Sequence, residues 1–248
     1  MPSATESEVR LPRRLAATVV LTAASCLALT ALVAPEAKAV TAPSSGCAAV
    51  NIITARASTE SPGEGTTASL VTQIVNSSTQ TVSREAVVYP ATLTNYASSE
   101  SQGVTNAKQE LTTAVQNCPN QKEVLLGYSQ GAQISLDVIT GNTEVGGNVA
   151  AVSTSISSHV VAIANFGDPG HVVNQSWDLG TATAKGLFPR STSQLSLLSA
   201  FGGSGKIAGW CDSGDPFCAS GGNLNVHLTY LNRYQNAAAS FVLGKIGG

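Results

Sequence analysis

Imidazole is scarce in this chain. His159, His171 and His227 are the only histidines among 248 residues, so chemistry that needs a histidine base has three candidates. Charge is sparse too, at 11% of residues, and the formal net charge of −2 leaves no basic excess of the kind that binds nucleic acid. None of the five cysteines stands in a Cys-x-x-Cys pair, which argues against a structural zinc site. No internal repeat or low-complexity linker divides the chain, and no second apolar run long enough to span a membrane follows the first thirty-odd residues.

What is present begins with a targeting pattern. Arg10, Arg13 and Arg14 precede an apolar stretch from Leu15 to Ala34, and Ala37-Lys38-Ala39 supplies small residues at a cleavage position. Residues 1–39 are therefore expected to be a signal peptide, with residues 40–248 as a single domain of the secreted, extracellular protein. The alternative is that the long apolar stretch stays as an anchor; cleavage would leave no stable membrane span. Without residues 1–39 the chain keeps 9 basic and 12 acidic side chains.

Apolar runs at Val50 to Thr54, Ala86 to Tyr89, Glu123 to Leu126, Val160 to Phe166 and Lys206 to Trp210 read as strands. Helical spacing appears between them, at Val104, Ala107, Leu111, Ala114 and Val115, and again from Tyr230 to Ile246. The alternation predicts an α/β fold, a three-layer α/β/α sandwich around a central, mostly parallel sheet of about five strands. The Ser-, Gly- and Thr-rich stretch from Gly170 to Gly205 reads as loops. Asn76-Ser77-Ser78 and Asn174-Gln175-Ser176 carry the N-glycosylation pattern.

Gly127-Tyr128-Ser129-Gln130-Gly131 follows one of the strand runs and precedes a mixed small and apolar stretch from Ala132 to Ile139. Strand, sharp turn and helix is the order of a nucleophile elbow, in which a strained backbone exposes the serine and the glycines let helix and strand approach. Ser129 then needs a base, and a carboxylate to hold that base in one tautomer. The chain order serine, acid, histidine singles out His227, since His159 and His171 read as strand-edge and loop histidines. Order alone leaves Asp168, Asp178, Asp212 and Asp215 open as the acid.

Setting Cys26 aside with the targeting segment leaves Cys47, Cys118, Cys211 and Cys218, an even number suited to two disulfides. Spacing suggests Cys211 with Cys218, a tight loop worth roughly 2.5 kcal/mol in the chain-entropy model, and Cys47 with Cys118, worth roughly 4 kcal/mol. A short covalent loop carrying Asp215 just before His227 would hold a carboxylate rigidly against an imidazole.

Three separated segments resemble the cutinases and their relatives the acetylxylan esterases. These are the Gly-Tyr-Ser-Gln-Gly elbow, Trp210-Cys211-Asp212-Ser213-Gly214-Asp215-Pro216-Phe217-Cys218, and Val226-His227-Leu228-Thr229-Tyr230. The resemblance implies Ser129 as nucleophile, Asp215 as acid and His227 as base. A fourth segment, Ala55 to Glu60, is similar to the family's oxyanion loop, and implies Ser58 and Gln130 as backbone N–H donors with the Ser58 hydroxyl as a third. Ala57 stands where many cutinases carry Gly, which puts the tilt of that loop in question. No metal or organic cofactor is implied.

The implied reaction is two-step acyl transfer from an ester through an acyl-enzyme, by a monomer. Activity should fall on acidification as the base protonates. Leu224, Val226 and Leu228 around His227, with Phe217 beside the acid, point to a hydrophobic rim and a cutinase-like preference for short- to medium-chain or polymeric esters. No apolar insertion of the length of a lipase lid is present. The wording of the acid loop keeps acetyl removal from plant-wall polysaccharide, acetylated xylan, as an alternative substrate, and a non-catalytic secreted binding protein is the alternative of another class.

Overall fold

The computed structural model describes residues 46–247; the expected signal peptide and Cys26 lie outside the described residues. Strands β1 (Val50–Ala55), β2 (Val82–Ala86), β3 (Lys122–Tyr128), β4 (Val160–Phe166), β5 (Asp178–Leu179) and β6 (Ile207–Trp210) form one sheet in the order β2-β1-β3-β4-β6-β5. All of its pairings are parallel. Helices α1 (Ala68–Ser77), α2 (Tyr96–Asn117), α3 (Gln130–Thr140), α4 (Thr154–Ser157), α5 (Thr192–Phe201), α6 (Leu224–Leu228) and α7 (Tyr230–Ile246) connect and cover the strands.

The apolar runs of β1, β3 and β4 are buried on both faces, as a parallel sheet between two helical layers requires. Alternate residues divide between the layers. Val50, Ile52, Val124, Leu126 and Phe166 pack with Leu70 and Ile74 of α1 and Val242 and Ile246 of α7. Ile53, Leu125 and Ile163 face the other way, against Val104 and Leu111 of α2, Ile134 of α3 and Leu198 of α5. Each such aliphatic side chain contributes about 1.5–3 kcal/mol by leaving water.

The sheet has six strands rather than about five, and the second lies earlier than its apolar pattern suggests. At the sheet edge, Val82–Ala86 pairs with β1 while exposing Arg84 and Glu85, so its composition hides it. Val87 donates its N–H to Thr54 O at 2.9 Å, and the chain then leaves the sheet, with Val87 and Tyr89 buried in the core and Val88 facing solvent. The stretch from Gly170 to Gly205 is not all loop. It holds β5 and α5, and α5 opens on a capping box in which Ser191 accepts from Gln194 N and Gln194 reaches back to Ser191 N. That Ser-x-x-Gln spacing is a helix-start signal legible in the sequence.

Both disulfides link the cysteines that spacing pairs. Cys47–Cys118 ties the chain ahead of β1 to the end of α2, and Cys211–Cys218 closes the loop after β6. Among the described residues no helix is long and apolar enough to cross a membrane.

Candidate active site

At the C-terminal end of β3 the backbone turns sharply into α3, and Ser129 takes φ 56° and ψ −121° at the corner. Such a conformation costs an L-residue of order 1–3 kcal/mol and persists only where the surroundings impose it. They do so here through two glycines. A Cβ on Gly131 would lie 1.9 Å from Ala55 O, and one on Gly127 would lie 2.3 Å from Gly131 O. Ser129 N–H donates to Phe166 O at 2.8 Å, and Ser129 O accepts from Ala132 N and Gln133 N, which fixes the turn from both sides.

Ser129 and His227 line one cavity of about 490 Å³, together with Ser58, Tyr96, Phe188 and Phe217. His227 sits on the short helix α6, whose N-cap Asn223 accepts from Asn225 N. Its Nδ1 is 2.8 Å from Asp215 Oδ2, and its ring lies 4.5 Å from the Phe217 ring between centroids. Tyr128 donates its hydroxyl to the His227 carbonyl, which anchors the main chain at the imidazole. Burial pushes that hydroxyl up to about 12, so it keeps its proton.

Asp215 has no exposed surface, yet every acceptor position on its carboxylate is used. Oδ1 accepts from Phe217 N at 2.7 Å and Cys218 N at 3.0 Å, both inside the disulfide loop, while Oδ2 faces His227 and Tyr230. Burial alone would raise this carboxyl. The hydrogen bond and charge of His227 and the two backbone N–H groups outweigh it and hold Asp215 below the ordinary aspartate value.

The other acids are engaged elsewhere. Asp212 pairs with Arg233 at 2.9 Å and accepts from Tyr234, and Asp168 pairs with the buried Arg190, which also bonds Asp137 at 2.8 Å. Asp178 lies 3.7 Å from His171, and neither borders the Ser129 cavity. His159 immediately precedes β4 and gives its carbonyl to Glu123 N, at the opposite end of the strands from Ser129.

The Ala55 to Glu60 loop borders the same cavity through Ala57, Ser58, Thr59 and Glu60. Arg56 is buried and clamps it, donating to Glu60 O at 2.9 Å and Tyr89 O at 2.7 Å. Glu60 accepts from Ala57 N at 2.7 Å, so the loop holds a tight turn with alanine at this position. The Ser58 hydroxyl points its hydrogen at Gln130 Oε1, 3.0 Å away, and in this state is spent on that side chain. Gln130 opens α3, so its own N–H has no partner within the helix and stays available at the positive end of the helix dipole.

Leu93, Leu187, Leu224 and Leu228 surround the mouth of the cavity and are each about half exposed or more. Leu224, Leu228 and Phe217 stand in the sequence beside the base and the acid, whereas Val226, expected with them, does not border the cavity, and Leu93 and Leu187 come from loops whose sequence carries no pattern. Tyr230, which reaches Asp215, stands three residues after His227 and reads from sequence as the start of a helix. Among the described residues no three His, Cys, Asp or Glu side chains converge as metal ligands would.

The cutinase family model matches residues 46–246, nearly all of the described chain. The chain belongs to the cutinase family. It is 30% identical over 211 residues to Cutinase 11 of Verticillium dahliae, a match covering 81% of this chain and 70% of that protein. An acetylxylan esterase of Hypocrea jecorina is 30% identical over 207 residues, covering 79% and 67%. The structure of an acetylxylan esterase at 0.90 Å resolution superposes with a TM-score of 0.72 at 31% identity, over 81% of this chain and all of that one.

Proposed function

We propose that this cutinase-family serine esterase hydrolyses short- to medium-chain or polymeric carboxylic esters through Ser129, His227 and Asp215. The observation that carries the reading is the single cavity into which Ser129 and His227 open, rimmed by Leu93, Leu187, Leu224 and Leu228. His227 takes the Ser129 proton as the hydroxyl attacks the ester carbonyl, then returns it to the leaving alcohol. Asp215 orients the ring through Nδ1 and stabilises the imidazolium that forms. The backbone N–H groups of Ser58 and Gln130 stabilise the oxyanion, and water admitted to the same cavity releases the acyl group. The enzyme works outside the cell, after removal of residues 1–39, where two disulfides persist.

A second reading, removal of acetyl groups from plant-wall polysaccharide, is favoured by the overlap along the full length of an acetylxylan esterase structure. Hydrolysis of p-nitrophenyl acetate and butyrate by residues 40–248, with Ser129→Ala as control, separates the two. The first reading expects faster turnover of butyrate and a loss of about 10³-fold or more in Ser129→Ala. A preference for acetate, with acetate released from acetylated xylan, replaces it by the second. Turnover of neither ester that depends on Ser129 overturns both in favour of a binding protein.

A further inference from the structure

Tyr230 is fully buried at the start of α7, in an aromatic cluster with Phe166, Tyr128 and Tyr234. Packing alone would be served by phenylalanine. The hydroxyl, however, donates to Asp215 Oδ2 at 2.8 Å and accepts from Asp212 N at 2.8 Å. A phenol has one hydrogen; with the Asp212 N–H occupying a lone pair, and the disulfide sulfur of Cys218, 3.3 Å away, a far weaker acceptor, that hydrogen is directed at the carboxylate. The same Oδ2 receives His227 Nδ1 at 2.8 Å. One carboxylate oxygen thus carries two donors, and one of them belongs to neither the backbone nor the imidazole.

On the esterase reading above, we infer that Tyr230 is a positioning residue for the reaction, which holds Asp215 Oδ2 against His227 Nδ1 and moderates the negative charge of the carboxylate. Burial, with the nearby charges of Asp215 and Asp212, holds the phenol far above its ordinary range, so it acts as a donor at every working pH. Two consequences follow from the chemistry. Without the hydroxyl, Oδ2 of a carboxylate that has no exposed surface keeps a lone pair unpaired, and the carboxylate is free to twist away from Nδ1. Its charge also falls more fully on the imidazole, which favours the protonated ring.

Tyr230→Phe tests this because it keeps the ring and its packing. The expected result is a folded variant whose kcat on p-nitrophenyl butyrate falls about tenfold with KM nearly unchanged. The acid limb of its kcat/KM profile should move to higher pH by about half a unit. Tyr234→Phe removes a hydroxyl that contacts Asp212 and not Asp215, and should leave kcat and the acid limb as in the parent. A Tyr230→Phe variant with the parent's kcat and acid limb, or a Tyr234→Phe variant with the same displacement, overturns the inference.

A second measurement does not depend on the variant folding or on turnover. In the unsubstituted protein, proton NMR should show a slowly exchanging Tyr230 hydroxyl proton with a cross-peak to the His227 Nδ1–H. Absence of that cross-peak, with the Nδ1–H itself visible, sinks the proposal. Failure of the esterase reading would show differently, as a parent protein with no Ser129-dependent turnover and the NMR contact intact.

Discussion

His227 Nδ1 and Asp215 Oδ2 lie 2.8 Å apart, and the carboxylate is fixed by a loop that a disulfide closes only three residues later, at Cys218. Two of the donors to Asp215 are backbone N–H groups of that loop, so acid and loop are one mechanical unit. Replacing Asp215 by Asn keeps the size and places an amide against Nδ1. The wrong tautomer is then favoured, and kcat/KM should fall by about 10³- to 10⁴-fold with KM little changed. Steady-state kinetics on p-nitrophenyl butyrate check this; a loss of less than tenfold would remove Asp215 from the reaction.

Because Asp215 is held below its ordinary value when folded, its stabilising contribution is present above the unfolded aspartate range and is lost as pH falls through the lower folded value. Glu123 has the opposite sign. It is buried at the start of β3, with Oε1 unpartnered and Oε2 3.2 Å from Asn51 Nδ2, and burial raises it to about 7. Its contribution is full below the unfolded glutamate value and disappears as pH rises through about 7. Glu123→Gln should therefore gain on the parent between pH 5 and pH 8, by on the order of 1–2 kcal/mol after solvent screening is discounted. Urea denaturation of both proteins at the two pH values gives the difference, and parallel curves would refute it.

Gly131 carries the tightest approach at the elbow. A methyl group there meets Ala55 O at 1.9 Å, and both partners are backbone, one on α3 and one on β1. Neither can yield without moving an element that also supports Ser129. Gly131→Ala should cost about 3 kcal/mol and displace Ser129 from the cavity, so activity should fall further than stability. Gly222, by contrast, has open space around an added Cβ, and Gly222→Ala is the matched control. Thermal melts and kinetics on the pair decide it.

The layers of this fold were legible because β1, β3 and β4 are buried on both faces and carry unbroken apolar runs. β2 escaped for a physical reason. As an edge strand it buries little, so Arg84 and Glu85 interrupt the apolar signal, and the run at Ala86 to Tyr89 marks the place where the chain leaves the sheet. The glycines of the elbow, the short cysteine loop and a late histidine are local features that survive in the sequence, so Ser129 and His227 stand out there as candidates, whereas chain order leaves four aspartates open and only the family resemblance singles out Asp215. Tyr230 does not stand out, because its hydroxyl matters only after α7 brings it under the carboxylate. Leu93 and Leu187 are likewise assembled by tertiary structure from loops about ninety residues apart.

Leu228 is 61% exposed beside His227, and Leu187 is 52% exposed in the wall of the same cavity. Exposed leucines give little to folding, so Leu228→Ser should change stability by no more than about 0.5 kcal/mol. A butyrate ester presents two more methylene groups to this rim than an acetate ester, each worth about 0.8 kcal/mol when fully removed from water. Partial burial against Leu228 makes the expected loss about threefold to tenfold in kcat/KM for butyrate relative to acetate. The parent's butyrate-to-acetate ratio, retained in Leu228→Ser and in Leu187→Ser alike, would mean that the acyl chain does not meet the rim. The apolar mouth would then face the alcohol side of the ester, and a series of esters with one acyl group and lengthening alcohols would show the dependence instead.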